Sequence, residues 1–215
     1  MIEISRSMLS TLKPRAGRAN AKIAAIALAV SSLAAIMLTH TAEALSPLRI
    51  LSLTLMTFAL WAFCDEMGLR KPLNRAGLVC FSFSVGSKLG AILGVASGMD
   101  GRYLLAYTAL LMASMLFWSI AFLHRPAIPK TLGAIGVGAS LATILVVVVG
   151  HIVIAVAALF GLQSLLGASA GAASADPTFV NFVERLFAVW CSVAAWLLWR
   201  GYITDASPRL SEDEH

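Results

Sequence analysis

Lys88 is the residue whose chemistry stands out first. It lies inside an apolar run from Leu78 to Ala96. If that run is a helix rising 1.5 Å per residue, Lys88 sits about 16 Å beyond Gly77, deep in a membrane. An ammonium there costs at least about 2.5–3.5 kcal/mol, so it turns toward a partner, a polar cavity or water. Such a lysine can bind an anion or move a proton; it can equally snorkel to the nearer interface or close a structural ion pair. Ser84 falls on the same side of the helix and is placed to assist.

Glu184 is the partner to test. It lies near the start of the last apolar run, Phe179 to Trp199, about 8 Å deep by helical rise. A lysine stem can cover the remaining axial gap. Side chains lean toward the N-terminus of their own helix, however, so Lys88 and Glu184 lean apart. A direct pair is therefore not expected, and Glu184 with Arg185 can also be read as marking the outer headgroup boundary. His151 falls in the same half of the fifth apolar run and could pair with Glu184 or titrate; a lone histidine there is more often a hydrogen-bonded packing residue. Asp65 and Glu66 end the second run, where the helix dipole disfavours negative charge, and Arg70, Lys71 or Arg75 are expected to compensate.

The most regular pattern is Ser82, Gly86, Gly90, Gly94 and Gly98. Positions four apart drift by only about 40° on a helix, so these form a continuous stripe, roughly opposite Lys88. Small residues at that spacing let two membrane helices approach closely. The stripe is expected to be a helix–helix interface, within the chain or with another copy or a different protein.

No H-E-x-x-H, G-x-S-x-G, P-loop or C-x-x-C occurs. His40, His124, His151 and His215 are too scattered for a haem or diiron site, and no metal or cofactor is expected. Cys64, Cys80 and Cys191 lie in or at the ends of apolar runs and read as packing residues.

Elements that can position these residues follow from composition. Of 215 residues, 59% are hydrophobic and 13% charged, where about 25% charged is usual for a soluble domain. A spanning helix needs about 20 mostly apolar residues, and six stretches approach or exceed this: Ile23–Leu38, Ile50–Met67, Leu78–Ala96, Tyr103–Leu123, Leu132–Leu162 and Phe179–Trp199. In lipid such runs must be helical, since their backbone groups find no other partners. The expected fold is all-α, a polytopic bundle of six spanning helices. The fifth run is long enough to tilt or to bend near Gly150, with Gly133, Gly136 and Gly138 packing closely near its start. The loop Gln163–Thr178 reads as flexible. Trp118, Trp196, Trp199, Tyr103 and Tyr202 read as headgroup anchors.

Twelve Lys and Arg residues fall on one side of this arrangement: Arg6, Lys13, Arg15, Arg18 and Lys22, then Arg70, Lys71 and Arg75, then Arg125 and Lys130, and finally Arg200 and Arg209. The opposite loops hold Arg49 and Arg102. Positive loops stay in the cytoplasm, so both termini are expected there: a basic segment over 1–22, a membrane domain over 23–200 and an acidic tail over 201–215. Grouping of the cations in short loops, not along one solvated face, argues against nucleic acid as a partner. Ala42-Glu43-Ala44 resembles a signal cleavage site, but the long basic region before the first run favours a retained helix.

The turn His124-Arg125-Pro126-Ala127-Ile128-Pro129-Lys130-Thr131-Leu132-Gly133 and the closing stretches Val183-Glu184-Arg185-Leu186 and Ala195-Trp196-Leu197-Leu198-Trp199-Arg200-Gly201 resemble a domain-of-unknown-function family of small bacterial multi-pass membrane proteins. That resemblance implies the bacterial inner membrane and brings no catalytic residues with it. The expected function is a non-enzymatic interaction, assembly or regulatory component acting through helix packing. The alternatives are a small-solute or ion transporter using Lys88 and, further off, a membrane enzyme on lipid or isoprenoid substrates.

Overall fold

The computed structural model describes the backbone of residues 3–41, 47–66, 71–94, 100–159 and 177–203, with side chains for most of these beyond residue 19. Six helices account for nearly all of it: α1 (Glu3–Thr41), α2 (Pro47–Glu66), α3 (Pro72–Gly94), α4 (Asp100–Leu123), α5 (Lys130–Leu159) and α6 (Pro177–Trp199). No strand occurs among the described residues. Five helices are long and apolar enough to cross a membrane: α1 over Asn20–Thr39, α2, α4, α5 over Lys130–Gly150, and α6. The sixth, α3, carries Lys88 in place of a fully apolar stretch. The chain is a multi-pass helical membrane protein.

The boundaries are set locally. Pro47, Pro72 and Pro177 each occupy the first position of a helix, where the missing N–H costs nothing and φ is already helical. The end of α6 is closed by Gly201, with φ of 82°. Its N–H donates to Leu198 O, and that of Tyr202 to Leu197 O, both at 3.0 Å. This is the paired reverse bonding of a glycine-terminated helix, and the Tyr202 ring folds back against Trp196. Between α4 and α5, the Lys130 ammonium reaches back to Leu123 O and the Arg125 guanidinium donates to Ile203 O. Positive side chains thus satisfy carbonyls left over at helix ends.

Neighbouring helices alternate in direction. On α1 and α6, Thr39 bonds Arg185, Ser32 bonds Ser192, and Lys22 lies over Trp199, a register that runs oppositely along the two helices. Gly90 lies against Tyr103 and Gly77 against Trp118, pairing α3 with α4 in the same antiparallel sense. The α5 helix packs mainly on α4 and leaves Ile135, Leu141, Leu145 and Val146 exposed. In lipid that exposure is not a penalty, because the surroundings are as apolar as a core.

Two interior zones result. One holds a stack of aromatic rings, in which Trp118 and Trp190 lie parallel with centroids 5.7 Å apart and Phe63 meets Trp118 edge-on at 6.3 Å. Trp118 is fully buried, which corrects its reading as a headgroup anchor: its position on α4 turns inward. Trp196, Trp199, Tyr103 and Tyr202 are partly exposed, as anchors need to be. Gly133 and Gly136 do sit tightly against α4, but Gly138 faces open space; it lies on the outer side of α5. The loop Gln163–Thr178 lies outside the described residues apart from its last two positions, which begin α6.

Candidate functional site

The second interior zone is polar. Glu184 projects from the second turn of α6, three residues after Asn181, so both face the same way. Arg49 stands in the first turn of α2, Lys88 in the later half of α3, and Tyr107 in the second turn of α4. Four helices therefore deliver one carboxylate, two cations and a phenol to a single point.

Glu184 accepts on both oxygens. Oε2 takes a hydrogen bond from Arg49 Nη2 at 2.6 Å, and Oε1 takes one from the Tyr107 hydroxyl at 2.8 Å and another from Lys88 Nζ. Arg49 Nη2 also donates to Asn181 Oδ1 at 2.6 Å. The Lys88 ammonium lies 4.9 Å from the centroid of the Tyr107 ring, close enough for attraction to the ring face. Arg49, Lys88 and Tyr107 are at most 1% exposed and Glu184 is 6% exposed. Among the described residues, two cationic side chains, Arg49 and Lys88, share the one carboxylate of Glu184.

The direct Lys88–Glu184 pair corrects the expectation drawn from side-chain lean. That lean fixes the direction of the first bond only. Four methylenes let the ammonium turn back, and the cost of leaving either charge unpaired in a low-dielectric interior far exceeds a rotamer preference. Glu184 is buried within the bundle, 6% exposed. Arg185, its neighbour, instead donates to Thr39 Oγ1 at 3.0 Å, tying α6 to α1.

Arg49, Tyr107 and Asn181 were not evident as site residues in the sequence. Arg49 reads as a loop cation when helices are placed by apolar runs alone. The available signal was Pro47 two positions earlier, which starts the helix and carries Arg49 inside it.

The remaining candidates separate. Ser84 is fully buried, but its hydroxyl donates to Phe81 O at 2.7 Å and is spent on its own helix. Along the small-residue stripe, Ser82 is exposed and bonds Leu78 O. A side chain added at Gly86 would meet nothing within 4 Å, whereas one at Gly90 would stand 3.0 Å from the Tyr103 ring. Within the chain, then, the stripe packs at Gly90 and is open at Gly86. The side-chain surroundings of Gly94 and His151, and all of Gly98, lie outside the described residues. No grouping of three His, Cys, Asp or Glu suited to a metal occurs among the described residues.

Space at the site is small. A cavity of about 10 Å³ lies against Arg49, Ser52, Tyr107 and Glu184, about enough for a single water. A far larger concavity, about 800 Å³, runs along the lipid-facing junction of α1 and α2. Its walls are almost wholly apolar, with Asn20, Asp65 and Glu66 at one end.

No family model, curated protein or solved structure matches this chain. Chemically, the cluster can clamp α2, α3, α4 and α6 together. Among the described residues the cluster holds one carboxylate, Glu184, beside a cavity of about 10 Å³.

Proposed function

We propose that the protein is a non-enzymatic component of a bacterial inner membrane, with both termini cytoplasmic, that works by helix contacts as an interaction, assembly or regulatory element. One observation carries this reading: the intramembrane charges close on one another around a cavity of about 10 Å³. A translocation route needs room for its cargo beside the charges that recognise it. Here those charges are occupied by helix-to-helix pairing, while the large concave surface is apolar and faces lipid. The positive-loop asymmetry supports the orientation, and the open stretch of α3 at Gly86 supports a further contact surface.

A second reading is a small-anion or proton transporter built on Lys88. Its support is the convergence of two buried cations, Arg49 and Lys88, at one point, where an anion could be recognised. Proteoliposome measurements of proton and halide flux separate the two. The first reading expects wild-type flux at the level of empty vesicles, and equally for Lys88→Met. Flux that depends on the protein and disappears in Lys88→Met would overturn it in favour of the second.

A further inference from the structure

The groove between α1 and α2 extends from Asn20 to Leu38 on α1, about 27 Å along the helix axis. That is nearly the whole hydrocarbon thickness of about 30 Å. Of the residues that line it, the buried ones are small, among them Ala24, Ser31 and Ala59, and the exposed ones include the bulky Ile23, Val30, Leu51 and Phe58. A lipid tail reaches through only one leaflet. A trough running through both, with small residues at its buried positions, matches a spanning helix, because small side chains are what allow backbones to approach in lipid.

Charge narrows the occupant. At the Asn20 end stand Asp65 and Glu66, in the last turn of α2 where the helix dipole adds negative potential. Among the described residues neither makes an ion pair. A helix carrying positive charge at that end suits the groove best. The chain's own α1 carries such charge: Lys22 lies at its membrane entry, and Arg15 and Arg18 precede it on the same continuous helix. The same helix also presents an outer ridge of Ile23, Ile26, Val30, Leu33 and Met37, all more than half exposed.

We infer that the groove receives α1 of a second copy of this chain. Each copy's α1 lies between α1 and α2 of the other, about a two-fold axis along the membrane normal. This arrangement is isologous, since one patch supplies both ridge and groove. Asp65 and Glu66 of each copy then meet the basic entry of the other's α1. The inference rests on the reading of the protein as a helix-contact component and names its partner.

Cysteine crosslinking of the full-length protein in native membranes tests it, in a Cys80→Ser background that removes the one partly exposed native thiol. Val30→Cys is expected to give a disulfide-linked dimer on oxidation, and Gly86→Cys on α3 is not. Ala34→Trp, which fills the groove without meeting a packed core, is expected to lower the dimer yield of Val30→Cys about tenfold. Three results overturn the inference: no dimer through Val30→Cys, a dimer through Gly86→Cys in its place, or a Val30→Cys product with a different and smaller protein. None of these touches the flux measurement, on which the broader reading stands or falls separately.

Discussion

Glu184 accepts hydrogen bonds from Arg49 at one oxygen and from Lys88 at the other, joining helices that are far apart in the sequence. The carboxylate is the hub of this cluster: it is the acceptor that Arg49 and Lys88 share. Removing different members of the group should therefore have unequal consequences.

Glu184→Gln removes the carboxylate that both buried cations share and should cost about 3–5 kcal/mol. Lys88→Met removes one of those cations, replaces it with a linear apolar chain, and leaves the Arg49–Glu184 pair intact. Its cost should be smaller by at least about 2 kcal/mol. Thermal unfolding in detergent, read by tryptophan fluorescence, gives the order: wild type at or near Lys88→Met, both well above Glu184→Gln.

The glycines divide by what surrounds them. An added Cβ at Gly77 would lie 2.6 Å from Trp118 Nε1, and one at Gly136 would lie 2.9 Å from Ser119 Cβ. Alanine at either position should destabilise by about 1–3 kcal/mol through overpacking. At Gly86 and Gly138 nothing lies within 4 Å, so alanine there should be neutral or gain up to about 1 kcal/mol of helix propensity. Melting temperatures of the four variants check the split.

Gly201 closes α6 with a positive φ, a conformation that side chains with a Cβ adopt only with strain. Gly201→Ala should lose about 1 kcal/mol and loosen the Tyr202 turn. The change is read as faster amide exchange at Gly201 and Tyr202, with exchange in the first half of α6 unaltered.

Much of the architecture was legible in the sequence, because hydrocarbon leaves an apolar run little choice but a helix, and prolines mark where three of the helices begin. The site was legible only in part. Lys88 and Glu184 stand out, since a charge within an apolar run is conspicuous wherever its partner lies. Arg49 is concealed because it sits at the edge of its run, where a loop cation and a buried one read alike. Tyr107 is concealed because an aromatic residue in a membrane helix is ordinary until its hydroxyl is seen against Glu184. Which residues meet depends on the rotation of each helix about its axis, and with apolar residues on all sides no polar face records that rotation.

A double-mutant cycle on Lys88 and Glu184 tests most directly whether these charges form a clamp. Unfolding free energies are needed for wild type, Lys88→Met, Glu184→Gln and the pair together. If the charges are coupled in a dry interior, the double variant is more stable than Glu184→Gln alone, because one stranded cation has been removed, and the coupling exceeds about 1 kcal/mol. Additive effects, with the double variant as unstable as the two single losses summed, would contradict a closed, mutually dependent cluster.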